Sequence, residues 1–148
     1  MKILIATDGS DYSKAAVEQA CQIVINPANA DVLVVSAYED AYPIMAEPFA
    51  MASEYYQQLE DTVSQMATTF VAEAEKTIRD KFPGTNITVN TEVLRGAPDQ
   101  QIIERAKEWK ADLIVVGSHG RGFWGRLLGS VSNGVVHHAP CSVLVVRR

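Results

Sequence analysis

The chain has 148 residues, 47% of them hydrophobic and 21% charged, with a formal net charge of −5 at pH 7. That length suits one domain spanning 1–148 with a core of its own. The acidic balance excludes an extended basic face for nucleic acid, and no apolar run approaches the roughly 20 residues of a membrane span.

The first run, Lys2 to Thr7, is apolar and β-branched and reads as a buried strand that turns polar too early for a signal peptide, so the cytoplasm is the expected compartment. Asp8-Gly9-Ser10 is a turn, with Asp8 suited to an Asx-turn. Ser13 reads as the N-cap of a helix to about Ile25, with Ala16, Ala20 and Ile23 or Val24 inward, and Asn26-Pro27 stops it. Asp31 to Ala37 is a second strand. Tyr38 to Ala50, with Pro43 and Pro48, is an irregular loop.

A long helix is expected from about Met51 to Lys81. Its core stripe is Tyr55, Leu59, Val63, Met66, Phe70, Ala74 and Ile78, at three- and four-residue steps. Ile87 to Leu94 alternates and suits a third strand. Pro98 opens a helix carrying Ile102, Ile103, Ala106 and Trp109. Asp112 to Val116 is a fourth strand, Ser130 to about His138 a helix, and Cys141 to Val146 a fifth strand. Apolar strands alternating with helices predict a doubly wound α/β domain, its parallel sheet covered by helices on both faces. Ligands of such sheets bind beyond the carboxyl ends of the strands, where the winding reverses.

The most telling stretch is Gly117-Ser118-His119-Gly120, then Arg121 to Leu128, then Gly129-Ser130-Val131-Ser132. A glycine-rich loop between a strand and a helix outlines a phosphate cradle, because glycines admit an anion close to the backbone and helix-start N–H groups point at it. The spacing is neither the Walker A pattern nor the dinucleotide fingerprint. All the carboxylates lie at or before Asp112, whereas four arginines and all three histidines follow it, which suits a small bound polyanion. Cys21 and Cys141 have no metal-type spacing and read as small buried residues. Neither paired carboxylates nor a metal cluster nor an activated nucleophile stands out, so no catalytic residue and no metal ligand is assigned. Slow hydrolysis of a bound ligand is the most that is expected.

Several segments together resemble the universal stress protein family. They are Ile3 to Ser10, Gly96-Ala97-Pro98, Ala111 to Gly120, Gly129 to Ser132 and His138 to Val146. The resemblance covers the whole chain and implies a five-stranded sheet of order 3-2-1-4-5. It also implies ATP in the crevice, or AMP or another adenine nucleotide, with Mg2+ as a companion of ATP. A homodimer through the fifth strand, residues 142–147, is implied as well. Carried onto this sequence, Asp8 faces the adenine or ribose, and Ala37 and Val116 line the base pocket. Gly117, Gly120, Gly129, Ser130 and Val131 hold phosphates through backbone N–H groups, and the Ser130 hydroxyl adds a bond. His119, Arg121 and Ser132 complete the expected phosphate side. The nucleotide-binding branch places nine residues between its second and third glycines; this chain has eight, Arg121 to Leu128. The expected function is a nucleotide-binding stress-response regulator. The alternative is a dimeric interaction scaffold that binds no nucleotide. A phosphotransferase is the weakest reading, with Asp8 its one visible candidate.

Overall fold

A computed structural model describes residues 1–39, 53–120 and 128–148, apart from the side chains of 53–55. Five parallel strands, β1 (Lys2–Ala6), β2 (Asp31–Tyr38), β3 (Thr88–Arg95), β4 (Leu113–Gly117) and β5 (Ser142–Val146), form one sheet of order β3-β2-β1-β4-β5. Helices α1 (Asp11–Ile23), α2 (Ser53–Lys81), α3 (Pro98–Trp109) and α4 (Ser130–His138) alternate with them. The doubly wound expectation and its sheet order hold.

The strands read as continuous apolar runs because both faces are covered. Ile3, Ile5, Val32, Val34 and Val115 point to the α1 and α2 side, packing with Ala16, Ala20 and Ile78. Leu4, Leu33, Val35, Ile114 and Val116 point to the α3 and α4 side, against Ile102, Ala106 and Val135. The register sets Ile3 beside Val32 on one flank and beside Leu113 on the other, which makes β1 the centre of the sheet.

Two local readings are corrected. The N-cap of α1 is Ser10, whose Oγ accepts the Ser13 N–H at 3.2 Å. Ser13 is instead buried in the first turn, and α1 ends at Ile23, which is 61% exposed, while Val24 packs partly against the core. In α2 the period is right and Ala74 and Ile78 are buried as expected, but the rest of the stripe is rotated in phase. Ala67, Val71, Ala74 and Ile78 are buried, whereas Met66 is exposed and Leu59, Val63 and Phe70 are only half-buried. Ala67 and Ala74 let α2 pack closely on α1 and the strands, while Leu59, Val63, Met66 and Phe70 lie towards its rim. The expected loop over Tyr38 to Ala50 falls mainly on residues outside the described ones, as does most of the arm from Arg121 to Leu128.

On the β3 edge, Arg105 of α3 clasps Glu92 with two parallel bonds, Nε to Oε2 at 2.5 Å and Nη2 to Oε1 at 2.7 Å. This bidentate pairing pins α3 to the sheet and holds the Glu92 carboxyl below its ordinary range. At the opposite edge lies β5, with Val143, Leu144 and Val145 half-buried. No helix among the described residues is long and apolar enough to cross a membrane.

Candidate functional site

The winding reverses between β1 and β4. The chain leaves β1 towards α1 on one face and leaves β4 towards α4 on the other, so a crevice opens beyond their carboxyl ends. A cavity of about 360 Å3 occupies it.

From β1, Thr7 continues the ladder by donating its N–H to Val35 O at 2.9 Å. Asp8 then closes the strand, its Oδ1 accepting the Ser10 N–H at 3.0 Å, which is the expected Asx-turn. Gly9 has φ +73°, and a Cβ there would lie 2.4 Å from the Phe70 ring, so both conformation and contact require glycine. Buried Ser13 braces this turn. Its Oγ donates to Ser10 O at 3.0 Å and lies 3.1 Å from Thr7 Oγ1, and the Asp8 N–H points to it at 3.4 Å.

From β4, the glycines divide by role. A Cβ on Gly117 would fall 2.7 Å from the Tyr12 carbonyl carbon and 2.9 Å from Ser13 N. This glycine therefore exists to let α1 lie against the strand end. A Cβ on Gly120 would meet Asp8 Oδ2 at 2.8 Å, so Gly120 and the Asp8 carboxylate face each other across the crevice. Its φ lies outside the left-handed region, so contact rather than conformation is what a side chain would violate there. His119 is buried, with Nδ1 3.0 Å from Ser118 Oγ and its ring 5.1 Å from that of Tyr12.

The N-cap of α4 is Gly129. Its N–H donates to Ser118 O at 2.8 Å, so the expected phosphate bond from this amide is replaced by an internal one. Like Gly117, Gly129 serves close backbone packing, since a Cβ would crowd His119 Cα at 3.3 Å and Ser118 O at 3.4 Å. The amides of Ser130, Val131 and Ser132 precede the first intrahelical bond, Asn133 N–H to Gly129 O at 2.9 Å. The helix start they form gives this end of the crevice a partial positive charge, which suits an anion. The Ser132 hydroxyl is turned inward, donating to Ser118 O at 2.8 Å and Gly129 O at 3.0 Å, so it holds the loop instead of reaching a ligand. Ser130 is exposed at the mouth.

Asp8, Ala37, Val116, Gly117, His119, Gly120, Gly129, Ser130, Val131 and Ser132 all line the cavity. Arg121 lies outside the described residues. Gly129 lies close to Gly120, whose N is 3.7 Å from the Gly129 Cβ position. Sequence reasoning missed Ala6, Thr7, Ser13, Pro98 and Ile102 as lining residues. Pro98 and Ile102 were legible as the start and inner face of a helix, but nothing local says that this helix overhangs the crevice. Among the described residues, no three His, Cys, Asp or Glu side chains gather as metal ligands.

The family model described as the universal stress protein family matches residues 1–147. A universal stress protein of Thermus aquaticus, encoded in the QAH/OAS sulfhydrylase 3′ region, is 37% identical over 147 residues, covering 98% of this chain and 97% of the relative. A solved universal stress protein in complex with cAMP superposes with a TM-score of 0.63 at 30% identity, covering 99% of this chain and 96% of the other. The hypothetical protein MJ0577 has the same fold, with a TM-score of 0.80 at 24% identity and coverage of 99% and 95%. Sequence and sheet order agree: the chain belongs to the universal stress protein family.

Proposed function

We propose that this protein is an adenine-nucleotide-binding regulator of the stress response that works as a homodimer. One observation carries the reading. A single cavity joins an apolar end, with Ala37, Val116 and Ile102, to an anion-facing end made by the first turn of α4. A flat apolar base fits the first, and phosphate oxygens fit the second, where N–H groups and the helix dipole favour negative charge. Asp8 stands between strand end and loop, placed to accept hydrogen bonds from the base or ribose. The relative at 30% identity that was solved with cAMP supports an adenine nucleotide as the ligand. ATP, accompanied by Mg2+, is the reading taken from the resemblance, and AMP is its nearest alternative. Asp8 is the one carboxylate among the described lining residues, so the site is read as one that binds rather than one that turns substrate over. The homodimer is read from β5, a sheet edge carrying half-buried valines and a leucine, since an apolar edge strand invites two-fold pairing.

Mass spectrometry of ligand released on denaturation of the purified protein, with calorimetric titration of ATP and AMP, tests the proposal. Gly120→Val should abolish binding and leave the dimer intact, because its branches would occupy the space beside Asp8. No released nucleotide and no titration heat would favour the scaffold reading, and unchanged affinity in the variant would reject this site.

A further inference from the structure

A directed chain of hydrogen bonds runs through the turn that carries Asp8. The Gly9 N–H donates to Thr7 Oγ1 at 3.3 Å, the Thr7 hydroxyl to Ser13 Oγ at 3.1 Å, and the Ser13 hydroxyl to Ser10 O at 3.0 Å. The Asp8 N–H adds a longer bond to Ser13 Oγ at 3.4 Å. The chain thus ties down the backbone of three consecutive residues, Asp8, Gly9 and Ser10. Thr7 and Ser13 are 6% and 3% exposed, so water competes little with it and each bond polarises the next.

Ser13 lines the crevice, but its hydroxyl is satisfied inside the turn. A serine hydroxyl has one proton and two lone pairs. The proton goes to Ser10 O, and the lone pairs receive the Thr7 hydroxyl and the Asp8 N–H. With nothing left for a ligand, this hydroxyl acts through what it holds, which is the aim of a carboxylate. Asp8 Oδ1 accepts the Ser10 N–H at 3.0 Å, which sets the side chain so that Oδ2 faces Gly120 across the crevice. Hydrogen bonds weaken steeply as their angle is lost, and those to a charged acceptor are the stronger ones, so a misdirected Asp8 loses affinity.

We infer that Ser13, together with Thr7, is a positioning residue for nucleotide recognition: the pair holds Asp8 in the conformation that receives the base or ribose. The inference rests on the adenine-nucleotide reading above. Ser132 gives the contrast on the other lip of the crevice. It is equally buried, and its hydroxyl donates to Ser118 O and Gly129 O, sharing no atom with the Asp8 turn. Its effect on a ligand is therefore independent of Asp8.

A double-mutant cycle, read by calorimetric titration of ATP into the full-length protein, separates these roles. Ser13→Ala should weaken ATP binding about five- to tenfold in the parent, but less than about twofold beside Asp8→Asn, where the carboxylate it aims is gone. Ser132→Ala should change affinity by the same factor in either background. Thr7→Val, which keeps the shape and removes the hydroxyl, should couple to Asp8→Asn in the same sense, and it carries the test if Ser13→Ala fails to fold. A merely structural role would give Ser13→Ala and Thr7→Val equal losses in both backgrounds; that result overturns the inference, as does unchanged ATP affinity in both variants. Coupling of Ser132→Ala to Asp8→Asn as strong as that of Ser13→Ala would mean that the crevice deforms as a whole, and overturns it too. Failure of the parent to bind ATP or AMP instead rejects the nucleotide reading itself.

Discussion

Gly117→Ala separates a packing glycine from a ligand glycine. The added methyl would lie 2.7 Å from the Tyr12 carbonyl carbon and 2.9 Å from both Tyr12 O and Ser13 N. Ordinary carbon contacts begin near 3.5 Å, so α1 must retreat from β4 by about 0.8 Å. All three atoms are backbone in the first turn of α1, which is held by Ser10 capping and by the Ser13 hydroxyl bonds, so no side chain can swing aside. Overpacking of this kind costs about 2–3 kcal/mol. For a domain of this size that lowers Tm by roughly 6–12 °C. Gly120→Ala meets instead the end of the Asp8 side chain, which can rotate, and should cost less than about 1 kcal/mol while disturbing the crevice. Urea unfolding followed by circular dichroism reads both. A Gly117→Ala variant within about 0.5 kcal/mol of the parent would refute the assignment of Gly117 to α1 packing.

Three further outcomes are expected. Inserting one leucine after Leu128, which lengthens the arm to nine residues, should change nucleotide affinity by less than about tenfold, or 1.4 kcal/mol, in titration calorimetry. The reason is that Gly129 already sits against the Gly120 backbone; binding that appears only after the insertion would instead show a disabled native site. Val145→Lys should weaken the dimer in light scattering, and a parent protein that is monomeric at micromolar concentration would refute pairing along β5. Arg105 holds the Glu92 carboxyl below its ordinary value of 4.5. That pair therefore stabilises the fold above the unfolded value and loses its contribution as pH falls through the lower folded one. Glu92→Gln should cost at most about 1 kcal/mol at neutral pH, because the pair is partly exposed, with the gap to the parent closing below pH 4.5 in urea titrations. A gap that widens on acidification would refute it.

The succession of elements was legible because hydrophobic period and chain punctuation agree almost everywhere. Ser130 to His138 is the clearest case, with Gly before it and Ala139-Pro140 after it. Misreadings arose where several residues qualify locally and tertiary packing chooses. Ser10 and Ser13 are both plausible caps, but only Ser10 stands outside the turn that Gly117 admits against β4. In α2, alanines and valine lie one step from Met66 and Phe70 on the helix wheel, and period alone does not set the phase. The candidate site was legible in its residues more than in their roles. Sequence pattern cannot show that the Gly129 amide and the Ser132 hydroxyl both close onto Ser118 O, because that bond spans the loop.

The neighbours of β1 carry a consequence for how the molecule is made. Ile3 pairs with Val32 early in the chain but with Leu113 on its other flank, and Lys2 is bonded to Asp112 on both backbone groups, its O accepting the Asp112 N–H at 2.8 Å and its N–H reaching Asp112 Oδ2 at 2.7 Å. As the chain emerges during synthesis, the first strand waits with one flank open until its late partner arrives. The two lips of the crevice thus come from opposite ends of the polypeptide, and closing so long a loop is a late, slow event. A partly made chain has no complete crevice to offer. Whatever ligand fills it acts on the finished fold as a whole, raising the stability of both chain ends together.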